Sequence, residues 1–323
     1  ALNVTLENVN IESNTSAALS VEGKGDTKIT LEGKNTLTSG NQCAGLEHNG
    51  KDYYGSSDTG KLTITSKKDE DGKDTGSLTA TGGGGSAGIG SAWGNSGSYT
   101  GAGTIEITGG DIKATGASQA AGIGSCANST GDTNIIISGT AKIEAEGGSD
   151  AAGIGSGCAA TGETNITISG GTIEEAVGGS TGDGIGGGNS SRNITVRIQG
   201  GTIKKAQGGN SSGFAGHGIH SDSTLNISGG TIETAQGGDG KSSGTGSGGN
   251  GIYSKTMEIL GGIIKKAIGG NANGEGGTGG DGIASVKDLT LSAGTIEEAT
   301  GGSADSGTAG SGIHSDGNLT IKD

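Results

Sequence analysis

The chain has 323 residues, of which 76 are glycine, none is proline and only 2% are aromatic. Its net charge of -14 argues against a nucleic-acid-binding protein, which needs a basic surface, and suits a solvated extracellular surface. Glycine follows no three-residue period, which excludes a collagen helix, and no apolar run approaches the roughly 18 residues of a membrane-spanning helix.

The first recurring element is a short strand in which two aliphatic residues alternate with polar ones, the period of a half-buried β-strand. It occurs as Val4/Leu6, Ile29/Leu31, Leu62/Ile64, Ile105/Ile107, Ile135/Ile137, Ile166/Ile168, Val196/Ile198, Leu225/Ile227, Met257/Ile259, Leu289/Leu291 and Leu319/Ile321. A corner containing glycine or serine follows, and then a second strand-like element such as Thr172-Ile-Glu-Glu-Ala or Thr202-Ile-Lys-Lys-Ala.

The third element is one aliphatic residue at the end of a stretch of small residues. It occurs as Leu19, Leu46, Ile89, Ile123, Ile154, Ile185, Ile219, Ile252, Ile283 and Ile313, with spacings of 30–34 residues from Ile89 onward. A period of this size indicates a solenoid. Helical repeats would need apolar residues three and four positions apart, and propeller blades would need four antiparallel strands.

Three short strands per period predict an all-β fold, a right-handed parallel β-helix of about ten to eleven coils with Gly-rich corner loops. We expect residues 1–323 to form one continuous domain, and the strand-like patterns at both ends suggest an excerpt of a larger surface protein. The loops 237–251 and 269–282 are expected to run as extended segments that pack closely, because glycine has no side chain to intervene.

Charged residues alternate in sign along the second elements of the later units. The residues are Glu174, Lys204, Glu233, Lys265 and Glu297. Stacked coils would bring opposite charges together, at about 0.2–1 kcal/mol per pair, and would fix the register. We therefore predict a structural ladder, since alternating signs suit no ligand of a single charge.

Four of the six aromatic residues lie in the long corners of two early units. They are Tyr53, Tyr54, Trp93 and Tyr99, and Asn95 accompanies them. Ring faces flanked by polar groups can form a platform for sugar rings. The alternative is that the rings fill the space between two loops, and the sequence is compatible with both.

A second candidate site is the acidic loop of residues 69–74. Asp69, Asp71 and Asp74 lie close together around Gly72, and carboxylates are the hard oxygen ligands that calcium prefers. A solvated hairpin tip explains the same residues. Calcium is therefore the one candidate cofactor, and none is assigned with certainty.

The other reactive side chains indicate no catalytic set. Cys126 and Cys158 follow their isoleucines by three and four residues, which fits either a disulfide or two small packed side chains. His220 and His314 follow theirs in the same way, which indicates structural repetition. We predict that the chain is not an enzyme, because no cleft with clustered carboxylates is evident.

Several segments resemble repeats of known proteins. Ala121-Gly-Ile-Gly-Ser, Ala152-Gly-Ile-Gly-Ser-Gly and Ile166-Thr-Ile-Ser-Gly-Gly-Thr-Ile resemble repeats in Gly-rich surface proteins of Gram-positive, often gut, bacteria. The opening, with Leu6-Glu-Asn-Val-Asn-Ile-Glu-Ser and Ile29-Thr-Leu-Glu-Gly-Lys-Asn-Thr-Leu, is similar to β-helical "carbohydrate-binding domain-containing" proteins.

The resemblance implies an extracellular, cell-surface and non-catalytic adhesion module that binds a polysaccharide or glycan, with calcium as an optional aid. The alternative function is a structural stalk or filament subunit. In that case the partner would be a second copy of the chain or a host surface. Neither function requires nucleic acid or insertion of this segment into a membrane.

Overall fold

In the computed structural model, which describes residues 1–50, 58–93, 100–241 and 245–322, the chain is an all-β parallel β-solenoid. This confirms the predicted fold class. Nine successive parallel pairings connect Leu19 to Ile313, which gives about nine turns. The expected ten to eleven coils were slightly too many, because that number included partial coils. No helix long and apolar enough to cross a membrane is present in the described ranges.

The strands form three columns, and adjacent coils pair in parallel within each column. The first column contains Leu2–Glu7, Thr27–Ser39, Leu62–Ser66, Gly103–Ile107, Thr133–Ile137, Thr164–Val177, Ile194–Ile203, Ile219–Ile232, Ile252–Ile264, Leu289–Ile296 and Leu319–Ile321. The second contains Asn10–Ser13, Gly76–Thr81, Asp111–Thr115, Lys142–Glu146, Ala206–Gln207, Ala235–Gln236, Ala267–Ile268 and Ala299–Thr300. The third contains Leu19–Ser20, Leu46–Glu47, Ile89–Gly90, Ile123–Gly124, Ile154–Gly155, Ile185–Gly186, Ile283–Ser285 and Ile313–Ser315.

Some strands continue from one column into the next. Thr27–Ser39 and Thr164–Val177 also supply second-column pairings, and Ile219–Ile232 and Ile252–Ile264 also supply third-column pairings. Inward side chains stack on their counterparts, as in the series Ile105, Ile135 and Ile166. These three isoleucines are fully buried. Burial of each such side chain stabilises the fold by about 1.5–3 kcal/mol, and the repeated stack forms a single elongated core.

The outward residues of the first column form a polar sheet, which we call the first-strand face. One row runs Thr104, Asn134, Asn165, Thr195, and the next runs Glu106, Ile136, Thr167, Arg197, Asn226, Glu258. Successive residues of a row lie about 4.8 Å apart, which is the spacing of paired strands. The first row therefore repeats amide and hydroxyl side chains along the solenoid axis, whereas the second row varies from coil to coil and includes Ile136.

A bulge enters the second column at Glu174. Ile143 pairs with Ile173, but Glu144 pairs with Glu175, so that Glu174 is an additional residue. The following coil keeps the additional residue, because Ile203 and Ala206 pair with Ile173 and Ala176. Two outward residues per coil replace one, and this produces two parallel rows of charged side chains.

The cross-section of the solenoid changes between the coils of Ile185 and Ile219. After Ile154 and Ile185 a corner loop precedes the next first-column strand, whereas the strand Ile219–Ile232 continues without a corner. On the other side, the Gly-rich loop before the third column lengthens from this point onward. We refer to the parts before and after this point as the early and late coils.

The Gly-rich loops of the late coils pack into a sheet of glycines that we call the glycine layer. Its two columns are Gly209, Gly238, Gly270, Gly302 and Gly216, Gly249, Gly280, Gly310. From Gly216 onward, each backbone N–H in the series donates to a carbonyl of the other column at 2.8–2.9 Å, as in Gly249 to Gly238 and Gly270 to Gly249. A Cβ at any of the eight positions would lie 1.6–2.1 Å from a carbonyl oxygen, so only glycine fits.

Candidate functional site

Of the predicted aromatic corner, only Trp93 lies within the described residues. Tyr53, Tyr54, Asn95 and Tyr99 lie outside them, so the sugar platform stays a prediction. The Trp93 ring is half-buried against Gly85, where a Cβ would lie 2.9 Å from it, and the Trp93 N–H donates to Ser86 Oγ at 2.9 Å. The indole Nε1 is buried and has no acceptor in the described part of the chain.

The acidic loop forms a hairpin tip. Asp69 Oδ1 accepts the N–H groups of Asp71 at 3.0 Å and Lys73 at 2.8 Å. Asp74 accepts from Lys68 Nζ at 3.0 Å and from Gly110 N–H at 2.9 Å. Partial burial opposes ionisation of Asp74, but these hydrogen bonds lower its pKa.

Metal binding at this loop stays a prediction. Within residues 1–50, 58–93, 100–241 and 245–322, no three His, Cys, Asp or Glu side chains are grouped so that they could hold a metal ion. In the loop itself, oxygens of Asp69 and Asp74 already accept hydrogen bonds from the protein. A calcium ion would have to compete with these bonds.

The charged residues of the second column from Glu174 onward form ion pairs between successive coils. Lys204 Nζ lies 2.6 Å from Glu174 Oε2, and Lys265 Nζ lies 3.2 Å from Glu233 Oε1. The second row adds the pairs Lys205–Glu175 at 3.0 Å and Lys266–Glu298 at 3.6 Å. In the last of these coils the ion pair is therefore made by Glu298, the neighbour of the predicted Glu297. All these side chains are solvent-accessible, and each pair contributes at most about 1 kcal/mol.

The cysteines are free thiols. Cys126 is buried, whereas Cys43 and Cys158 are partly exposed. Since Ile123 pairs with Ile154, Cys126 faces Gly157 and Cys158 lies one position further along the neighbouring coil. The structure therefore contains the packed arrangement rather than the disulfide.

In each coil, one residue directly precedes the Gly-Ile pair of the third column. The backbone N–H of this residue has a different hydrogen-bond acceptor in the early and in the late coils. In the early coils it is Ala87, Ala121 or Ala152, and its N–H donates locally to the carbonyl four residues later at 3.1–3.2 Å. The late coils have lost the corner that supplies this carbonyl. A side chain of the preceding coil replaces it.

The replacement forms a ladder of side-chain acceptors, which we call the acceptor ladder. Asp183 Oδ1 accepts His217 N–H at 2.8 Å, and His217 Nδ1 accepts Asn250 N–H at 2.9 Å. Asn250 Oδ1 accepts Asp281 N–H at 2.6 Å, and Asp281 Oδ1 accepts Ser311 N–H at 2.6 Å. The sequence signal was the change from alanine to Asp, His, Asn, Asp and Ser at this position.

A cluster of ionisable side chains surrounds the first step of the ladder. The carboxylate of Asp183 is buried and also accepts the Gly187 N–H and lies 2.8 Å from His220 Nδ1. His220 Nε2 lies 3.4 Å from Asp222 Oδ1. The His217 ring contacts His220 at a centroid distance of 5.2 Å and stacks on Tyr253 at 4.6 Å.

The two histidines of this cluster titrate in opposite directions. Burial lowers the pKa of His217 to about 4. Burial also disfavours the charged form of His220, but Asp183 and Asp222 outweigh it and raise the pKa of His220 to about 10. His220 lowers the pKa of Asp183 in turn, against the opposing effect of burial.

A second Asp-His-Asp set occurs near the end of the solenoid. His314 Nδ1 lies 3.1 Å from Asp281 Oδ2, and His314 Nε2 lies 3.3 Å from Asp316 Oδ1. The expected repetition of His220 and His314 is therefore seen in their partners. Here the His314 side chain is 50% exposed, and Ser311 takes the place of His217.

Two open grooves border the first-strand face. One, of about 260 Å³, is lined by Glu163, Asn165, Asn193, Thr195, Asp222 and Ser223. The other, of about 240 Å³, is lined in part by Asp58, Thr59, Thr104, Asp132 and Asn134. Amides on the face contact each other between coils, as Asn165 Nδ2 donates to Asn134 Oδ1 at 3.2 Å. The face thus presents hydrogen-bonding groups in shallow and accessible positions.

Comparison with known proteins supports the fold. The profile of the Beta helix repeat family matches residues 105–126, 135–158, 166–189 and 225–249. The first three segments coincide with successive coils of the solenoid and the fourth with a later coil, so fold and repeats together fit a parallel β-helix protein. A search of curated proteins gave no match, and neither did a search of solved structures.

Proposed function

We propose that this chain is a non-catalytic module of an extracellular, cell-surface protein, and that it binds a polysaccharide or other glycan along the first-strand face. The observation that carries this proposal is the row of Thr104, Asn134, Asn165 and Thr195, which repeats amide and hydroxyl groups coil by coil. A repeating polymer of hydroxyl-bearing sugars offers donors and acceptors to such a row along its length.

The shape of the face favours a polymer over a small molecule. Small-molecule sites usually enclose most of the ligand surface, whereas the two grooves here are shallow and open. An extended chain can contact both grooves and the intervening rows together. Trp93 and the predicted aromatic corner would add stacking of a sugar ring.

The described side chains support a binding function more than catalysis. Both ring nitrogens of His220 are engaged by carboxylates, and the Ser221 hydroxyl is buried, where it donates to the Ile194 carbonyl at 3.2 Å. Neither group is free to act as a base or nucleophile on a substrate. No cofactor is required, although calcium at residues 69–74 remains a candidate aid.

A polysaccharide-binding screen with and without a chelator tests this proposal. The wild-type chain is compared with Asn165→Ala/Thr195→Ala and with Trp93→Ala. Thr79→Ala is the matched control, because Thr79 is exposed on the second column. Loss of two hydrogen bonds at about 0.5–1.5 kcal/mol each predicts roughly tenfold weaker binding for the double variant. The proposal is refuted if wild type binds no glycan, or if Thr79→Ala weakens binding equally.

A structural stalk or filament subunit is the second candidate function. The continuous core, the ion pairs between coils and the acceptor ladder favour it, because they connect each coil to the next without any ligand. In that case the partner is a second copy or a host surface. Electron micrographs of the purified protein would show end-to-end contacts, and all variants would be inactive in the glycan screen.

A further inference from the structure

The cluster around His217 and His220 lies where the early coils join the late coils. Ile185 belongs to the last coil with a corner after the third column, and Ile219 belongs to the first coil without one. Asp183 is supplied by the former coil, and both histidines by the latter. The cluster therefore connects two parts of the solenoid that differ in cross-section.

Geometry alone fixes the protonation of His217. Its Nδ1 accepts the backbone N–H of Asn250, and an N–H can only donate, so Nδ1 must carry a lone pair. The ring is then neutral, with its proton on Nε2. Protonation of Nδ1 would abolish the hydrogen bond that connects this coil to the following one.

Geometry fixes the charge of His220 as well. Each of its nitrogens faces a carboxylate, Asp183 on one side and Asp222 on the other, so both nitrogens carry protons. The remaining ring neighbour is Tyr253, at a centroid distance of 5.3 Å. Because His220 is a cation, a second positive charge on His217, 5.2 Å away, is further disfavoured.

We propose that Asp183, His217, His220, Asp222 and Asn250 form an acid-sensitive joint in the rod, which opens locally when His217 is protonated. Protonated His217 repels His220 and no longer accepts the Asn250 N–H. The third column then loses pairing between the coils of Ile219 and Ile252. The coils up to that of Ile219 become free to move relative to the coils from Ile252 onward, while the isoleucine core on either side stays packed.

The direction of the pH effect follows from the linkage between proton binding and opening of the joint. A histidine in the opened state protonates near pH 6.5, whereas the pKa of His217 in the closed state is about 4. The opened state therefore binds more protons between these values, and opening becomes more favourable as pH falls from 6.5 toward 4. Over this window the opening constant rises roughly tenfold or more.

Amide hydrogen exchange between pH 7 and pH 4.5, corrected for intrinsic exchange rates, tests the proposal on the whole chain. Amides of 217–221 and 250–252 should open at least tenfold more at pH 4.5 than at pH 6.5, relative to those of the early third column. His217→Asn should remove this dependence, because asparagine already serves as the acceptor at Asn250. Amides near His314 are the matched internal control, since Ser311 replaces the titrating histidine there.

A measurement on wild type keeps the test independent of the variant's folding. Nitrogen chemical shifts should show His217 neutral with its proton on Nε2 at pH 6, and His220 doubly protonated at pH 8. Equal acid dependence in wild type and His217→Asn, no acid dependence in wild type, or titration of His217 near pH 6.5 would each overturn the joint. None of these readouts depends on a glycan.

Discussion

Gly249→Ala should strongly destabilise the late coils, although an alanine normally stabilises a loop. Replacing glycine at a compatible position reduces the entropy of the unfolded chain and is worth about 0.4–1 kcal/mol. Gly249 does not lie in the left-handed region, so backbone strain is not the obstacle. Its Cβ, however, would lie 1.9 Å from the Gly216 carbonyl oxygen and 2.7 Å from the Gly216 carbonyl carbon.

The size of the destabilisation depends on which backbone groups must move to accommodate the new Cβ. To relieve this contact, Gly249 has to separate from Gly216, its neighbour in the same column, by more than about 1 Å, because real Cβ atoms essentially never approach other heavy atoms within 3.0 Å. Such separation breaks the 2.8 Å hydrogen bonds from Gly249 to Gly238 and from Gly270 to Gly249. Two hydrogen bonds at about 0.5–1.5 kcal/mol each, with about 1–3 kcal/mol for overpacking, give a destabilisation of roughly 2–6 kcal/mol.

Gly213→Ala is the matched control, because Gly213 lies in one of the same Gly-rich loops. Among the described residues, the only neighbour of its Cβ would be Ser211 Oγ at 3.9 Å, and its φ is not in the left-handed region. Urea unfolding should show Gly213→Ala within about 0.5 kcal/mol of wild type. Hydrogen exchange should localise the loss in Gly249→Ala to the late loops. If both variants are equally stable, the close packing of the glycine layer is wrong.

Two further predictions concern titrating groups. Cys126 should react slowly with a thiol reagent at pH 8 in the folded protein and rapidly in denaturant, because burial raises the pKa of its thiol to about 11. Fast reaction of Cys126 in the folded protein would contradict its burial. The pKa of His220 is raised to about 10, so its ion pairs stabilise fully below pH 6.5 and are lost as pH rises through 10. Asp222→Asn should therefore lower Tm clearly at pH 6.5 and progressively less toward pH 10, and a Tm difference that does not change with pH would contradict the charged state of His220.

The fold could be predicted from the sequence because the residues that form it repeat without gaps. An inward isoleucine or leucine recurs in each of the three elements of most coils, and the register of Ile123, Ile154 and Ile185 follows directly from their spacing. The alternating charges from Glu174 onward likewise predicted a ladder, whereas the additional residue in the second column was seen only in the structure. Stacking in register then placed opposite charges next to each other.

The acceptor ladder could not be predicted in the same way. The need for it arises from the missing corner after Ile219, which deprives the N–H of the residue before Gly-Ile of a local carbonyl. The sequence shows that Asp183 and His217 occupy the position that is alanine in earlier coils. It does not show which backbone N–H has lost its carbonyl acceptor. From the sequence, His220 was related only to His314, and its contact with His217 was not predicted, although three coils contribute to one cluster.

The acceptor ladder also shows how a repeat protein of this design could diversify. The amide of each late coil requires only a lone pair in the coil before it, and aspartate, histidine and asparagine all supply one at nearly the same distance. A substitution of one of these residues by another would thus leave the architecture intact. It would alter how that coil responds to pH. Duplicated coils could acquire different sensitivities one by one, without any redesign of the scaffold.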